Sequence, residues 1–168
     1  MSRQNAALAS ALFFLLAPGT VAGLLPWGIT RWSVQPMPAA YLPLRIIGVI
    51  LLVAGLGLIL ESFARFVIEG RGTPAPPMPT ERLVVRGAYR FVRNPMYVAV
   101  LAMILGQVLL FASLPMLLYA AVVGLAFHLF VILYEEPALA RAYGVEYDAY
   151  RAAVPRWIPR FTAKEWAP

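Results

Sequence analysis

The stretch Arg86–Tyr97, RGAYRFVRNPMY, decides how the rest of the chain is read. Arg86, Arg90 and Arg93 alternate with Tyr89, Phe91 and Tyr97, and Pro95 stands where proline suits the first turn of a helix. From Pro95 an apolar run continues to about Leu114, long enough for a transmembrane helix. Pro115 marks an uncharged turn, and a second apolar run extends from about Met116 to Tyr134. So tight a connection makes the two runs an antiparallel hairpin whose outer ends lie at one depth. The polar knot Tyr134-Glu135-Glu136-Pro137 closes the hairpin and is expected to meet Arg93, Asn94 and Tyr97.

Upstream, two more apolar runs precede this unit. The first, about Ala6–Trp27, exceeds the usual h-region of a signal peptide and is read as a retained helix, with Pro18 and Gly19 expected to kink it. The second, about Leu44–Phe63, carries Gly48, Gly55 and Gly57, small residues that let helices approach closely in lipid. Near its end lies Glu61, a carboxylate that needs water or a partner and is a weak site candidate. Between Ala64 and Asn94, glycines and prolines exclude a long regular helix. After Glu136 the chain reads as an amphipathic helix interrupted at Gly144 and stopped by Pro155. Its Tyr143, Tyr147 and Tyr150 share one face, which lies on the membrane or on the helical core.

Composition agrees with this pattern. Of 168 residues, 61% are hydrophobic and 13% charged, where a soluble domain is nearer half apolar and a quarter charged. The expectation is an all-α integral membrane protein of about four transmembrane helices, one membrane domain over residues 1–168. Residues 1–63 form its two N-terminal spans, and 64–168 its loop, helix hairpin and C-terminal amphipathic helix. With four spans, Arg3, Arg65, Arg71, Arg82, Arg86, Arg90, Arg93, Arg141, Arg151, Arg156, Arg160 and Lys164 share one side, against Arg31 and Arg45 on the other. That bias puts both termini and the polar knots in the cytoplasm, at the inner membrane if the chain is bacterial. The net charge of +6 therefore points to the lipid bilayer and its anionic headgroups as partner, with no nucleic acid. The chain has no cysteine and a single histidine, His128, so no metal site is expected. His128 reads as a buried hydrogen-bonded residue, and mid-span Gln107 as interhelical glue.

At the meeting of the knots, the helix N-terminus at Pro95 offers unpaired backbone N–H groups and partial positive charge to an anion. Arginines add forked donors for the same anion. Glu135 and Glu136 supply acceptors for ribose hydroxyls or an ammonium. Together these groups suit a zwitterionic, ribose-bearing ligand. Interfacial Arg–Glu pairs also serve simply to anchor helix ends, and that reading stays open on the residues alone.

The sequence LVVRGAYRFVRNPMY, the hydrophobic hairpin, and then LYEEPALARAYGVEYDAYRAAVPRWIP resemble the isoprenylcysteine carboxyl methyltransferase and phospholipid methyltransferase superfamily over about Gly70–Pro159. The resemblance implies a methyltransferase that uses S-adenosylmethionine in a cytosolic pocket and takes a lipophilic methyl acceptor from the membrane. Carried over by motif, Tyr89, Arg93, Asn94, Pro95 and Tyr97 line the cofactor pocket, Glu135 and Glu136 close it, and Tyr147, Tyr150 and Arg151 cover it. Arg93, Glu135 and Glu136 are the expected catalytic residues. Asn94 stands where the carboxyl methyltransferases usually have histidine, which removes a histidine-based proton role, whereas phospholipid N-methyltransferases share Asn-Pro-Met-Tyr. Two other readings use the same residues: an NADPH-dependent sterol-type reductase, which resembles this family in its C-terminal half, and a non-catalytic membrane scaffold.

Overall fold

The computed structural model describes residues 12–65, 68 and 83–160; Arg3, the start of the first expected span, the proline-rich linker with Arg71 and Arg82, and Lys164 lie outside them. Each long apolar run becomes a helix: α1 (Leu12–Thr30), α2 (Leu42–Arg65), α3 (Pro95–Phe111) and α4 (Leu114–Phe130). A π-helical turn at Val131–Glu135 then leads directly into α5 (Glu136–Tyr143), and Gly144, at φ +53°, separates it from α6 (Val145–Ala153). All regular structure among the described residues is helical.

Three stretches are long and apolar enough to cross a bilayer: Leu12–Thr30, Ala39–Arg65 and the continuous Leu114–Tyr143. The remaining expected span, α3, has 17 residues, about 25 Å of helix against a hydrocarbon core of about 30 Å. It is also the most enclosed, with Ala99, Val100, Ile104, Gly106, Gln107 and Phe111 buried along it. Residues such as Val53, Val122 and Leu133 stand exposed on the outside of the bundle. Those are surfaces for lipid chains, as expected of helices that are apolar all round.

Glycine sets the closest packing. α2 lies on α3 more extensively than on any other helix, because a Cβ at Gly48 would stand 2.7 Å from the Gly106 carbonyl oxygen and one at Gly106 2.6 Å from that of Gly48. Gly55 likewise faces the Ala99 carbonyl at 2.8 Å, whereas Gly57 meets open space. The packing role read from these glycines thus holds for Gly48 and Gly55 and not for Gly57. Ala112, with φ +50°, and Ser113, which caps the Met116 N–H, make the α3–α4 turn. Pro115 sits inside the first turn of α4 rather than at the corner.

A proline fixes α1 to this pair. The chain passes through a π-helical turn at Thr20–Leu24, in which the Leu25 N–H bonds the Thr20 carbonyl. Pro26 has no N–H to offer the Ala22 carbonyl one turn back. Tyr119 of α4 donates to Val21 O at 2.7 Å, and Gln107 of α3 donates to Ala22 O at 2.8 Å. Gln107 is indeed interhelical glue, and the break in α1 explains why a polar group stands in mid-span. At the other end, Phe13 and Phe14 pack on Phe63 of α2, with ring centroids 6.2 and 5.1 Å apart.

Candidate active site

The first turns of α3 and the last turns of α4 meet at one end of the bundle, where the chain from Leu83 to Asn94 also lies. Glu61 holds that segment. Its carboxylate pairs with Arg65 at 2.7 Å and accepts from the Ala88 N–H at 3.4 Å. Gly87 adopts φ +60°, and a Cβ there would collide with Glu61 and stand 2.6 Å from Arg65 Nε. Only glycine fits both that backbone conformation and that contact. The partner that Glu61 needs is thus the turn carrying the motif itself.

Tyr97, on the first turn of α3, donates its hydroxyl to Glu135 Oε2 at 2.7 Å. Its ring lies 4.7 Å from Phe127 and 6.4 Å from Trp157. Glu136, the next residue, points elsewhere, since successive helical residues diverge by about 100°. Its carboxylate takes two bonds from Arg156, at 2.6 and 2.9 Å, and a third contact from Arg93 Nη1 at 3.1 Å. Hydrogen bonding to Glu136 raises the Arg156 guanidinium above its ordinary value. Two guanidinium groups around one carboxylate leave an excess positive charge, and Arg93 Nε is buried without a hydrogen-bond partner.

The tail straps this cluster down. Arg93 N–H donates to Pro155 O at 2.9 Å, Arg160 N–H to Phe91 O at 3.0 Å, and Asn94 Nδ2 to Arg156 O at 3.1 Å. Trp157 Nε1 donates to His128 Nδ1 at 3.1 Å, so His128 is a hydrogen-bonded residue whose Nδ1 serves as acceptor. Tyr147 and Tyr150 are buried against Leu83, Val85 and Leu139, so the tyrosine face lies on the protein rather than on lipid. Tyr150 donates to Tyr89 O at 2.8 Å, and Tyr147 meets Arg93 Nη1 at 3.4 Å. Burial raises the phenol pKa of Tyr89, Tyr147 and Tyr150, with the nearby carboxylates adding to the effect at Tyr89 and Tyr147.

A cavity of about 140 Å³ opens above Tyr97 and Glu135. Its polar wall is Tyr89, Arg93, Asn94, Tyr97 and Glu135; its apolar wall includes Phe13, Ala17 and Val21 of α1 and Phe127 of α4. Of the residues expected at the site, these five therefore share one cavity. Pro95 begins α3 beneath it, and Glu136, Tyr147 and Tyr150 stand behind its wall, engaged with Arg93 and Tyr89. Arg151 lies apart, exposed and paired with Asp148 at 3.0 Å, because α6 turns its tyrosines inward and its charges to solvent. Sequence reading passed over the α1 residues and Trp157. Pro26 and the small Ala17-Pro18-Gly19 stretch were the available signals. No group of side chains suited to a metal ion occurs among the described residues.

Residues 44–146 match the sequence model of a family described as phospholipid methyltransferase, which lies within the isoprenylcysteine and phospholipid methyltransferase superfamily. The match begins in α2, upstream of the expected stretch, and so takes in the Gly48–Gly106 contact and the Glu61 clamp. No curated protein matches the chain.

Proposed function

Because the chain belongs to the phospholipid methyltransferase family, we propose that it transfers a methyl group from S-adenosylmethionine to a lipophilic acceptor at the membrane face bearing the Arg-Asn-Pro segment. The observation that carries this reading is the cavity, which Arg93 and Glu135 both line. That pair complements a zwitterionic amino-acid group, with Arg93 toward its carboxylate and Glu135 toward its ammonium or a ribose hydroxyl. The donor set therefore fits the cofactor. When bound, S-adenosylmethionine supplies an electrophilic methyl group on a sulfonium.

The protein's share is alignment, exclusion of water and, for one acceptor class, proton removal. Tyr97 holds Glu135 in a fixed orientation through its 2.7 Å hydrogen bond. Glu136 is committed to two arginines, so Glu135 is the carboxylate left to act as base. An amine acceptor arrives protonated, and Glu135 takes that proton so that the nitrogen lone pair is free to attack; a carboxylate acceptor needs no base. The arginine bias of the sequence supports assigning this end of the bundle to the cytoplasm.

The test is calorimetric titration of the detergent-purified protein with S-adenosylhomocysteine, wild type beside Glu135→Gln. Saturable binding that weakens in the variant is expected, together with transfer of labelled methyl into a lipid fraction. Binding of NADPH in its place would turn the reading toward a reductase. Binding of neither by folded protein would leave a scaffold.

A further inference from the structure

The α1 wall of the cavity is built differently from the rest. Phe13, Ala17 and Val21 recur every four residues and share one face of α1. They span about 12 Å along the helix, running from the polar end of the bundle toward its middle. Phe127, on the opposite wall, is likewise about two turns deeper than Glu135. Tyr89, Arg93, Asn94 and Glu135 lie at the outer end. The cavity is thus polar at its outer end, where the methyl-transfer reading places the cofactor's charged groups, and apolar below, where a hydrocarbon chain fits. Leu12, Leu15 and Leu16 point the opposite way and are exposed, so α1 turns one face to lipid and another to the cavity. Ala17, the smallest side chain of the inner stripe, leaves room between Phe13 and Val21. The bonds from Gln107 and Tyr119 to the Val21 and Ala22 carbonyls hold this wall in register.

We infer that the Phe13–Ala17–Val21 face of α1 is the subsite for the acceptor's hydrocarbon chain, with Ala17 setting the bulk it admits. The inference rests on the methyl-transfer reading and adds to it a residue-level determinant of acceptor choice. Gln107 and Tyr119 act on that choice as positioning residues, through the backbone of α1.

The experiment measures acceptor KM with labelled S-adenosylmethionine for short- and long-chain forms of an aminophospholipid and of a prenylcysteine, using the class that is methylated. Ala17→Phe should raise KM for the long-chain acceptor by about tenfold or more, the scale of pocket discrimination by a few carbon atoms. Its effect on the short-chain acceptor and on S-adenosylhomocysteine affinity should be much smaller. Leu16→Phe, on the lipid face, should change neither KM. If Ala17→Phe does not fold, Val21→Ala, which widens the same wall, should shift the long-to-short preference in the opposite direction. Equal effects on both chain lengths, or none, would overturn the inference while leaving methyl transfer intact. So would methylation of a water-soluble acceptor in place of either lipid. A wild-type protein that binds no S-adenosylhomocysteine and transfers no methyl refutes the underlying reading, and this inference with it.

Discussion

Glu135 and Glu136 are neighbours in the chain and stand in different electrostatic surroundings. Glu136 lies between Arg93 and Arg156, and its loss leaves two like charges facing each other at a site mostly closed to water. Removing one member of a buried charged cluster typically costs about 3–5 kcal/mol. Glu136→Ala should therefore unfold at markedly lower temperature in detergent. Glu135→Gln, whose position borders the cavity and which keeps a hydrogen-bond acceptor for Tyr97, should unfold close to the wild type while losing ligand affinity. Thermal unfolding of the two variants side by side is the check. Equal stability loss in both would contradict the division between a structural and a cavity-facing carboxylate.

Among the elements, α1 and the α2–α3 pair are held by different physics. Gln107 satisfies the Ala22 carbonyl, to which Pro26 has no N–H to give, and Tyr119 bonds the adjacent Val21 carbonyl. Gln107→Leu should cost about 1 kcal/mol, the usual scale of an interhelical hydrogen bond in a membrane. Pro26→Ala restores an N–H one turn beyond Ala22, so part of that loss should return in the double variant. A double-mutant cycle on unfolding free energy measures it, and strict additivity would mean that the two residues do not share the Ala22 carbonyl. Packing of α2 on α3 depends on backbone approach. Gly106→Val places side-chain atoms against the Gly48 carbonyl and the Leu52 backbone, and should separate the helices. Gly57→Ala meets open space and should be tolerated. Comparing the yield of folded, monodisperse protein for these two variants distinguishes steric packing from a general intolerance of α2 and α3 to substitution.

For the whole molecule, the tail and the segment before α3 form a second core on one end of the bundle. Tyr147 and Tyr150 are its centre. Burial holds their phenols, and that of Tyr89, protonated above the usual value. A group whose folded pKa is raised stabilises the fold fully below its unfolded pKa, here roughly 10. That contribution then declines as pH rises toward the folded value. Stability in detergent should thus fall from about pH 10 upward, with release of the tail, and Tyr150→Phe should reduce that slope. Hydrogen exchange of the tail amides, Val154 to Arg160, against pH tests it. An unchanged exchange pattern through the tyrosine range would show that these phenols do not carry the docking.

The apolar runs, the arginine bias and the two polar knots were legible in the chain because they depend on composition and spacing. A helix must bring enough apolar residues to cross the hydrocarbon, and a hairpin must return its ends to one depth. That Tyr97 meets the Glu135-Glu136 knot follows from that geometry. Three things only the tertiary structure decided. Glu136 turns to Arg156 because a π-helical turn precedes it and the tail returns over Asn94, a contact between residues 20 apart. Glu61 clamps Ala88 from 27 residues away, where its sequence neighbours show only Arg65. α1 walls the cavity because Gln107 and Tyr119 bond the Ala22 and Val21 carbonyls beside Pro26, and a hydropathy pattern cannot say which helices such carbonyls will join. Local patterns determine which segments enter the membrane; the pairing of polar groups within it depends on partners far away in the chain.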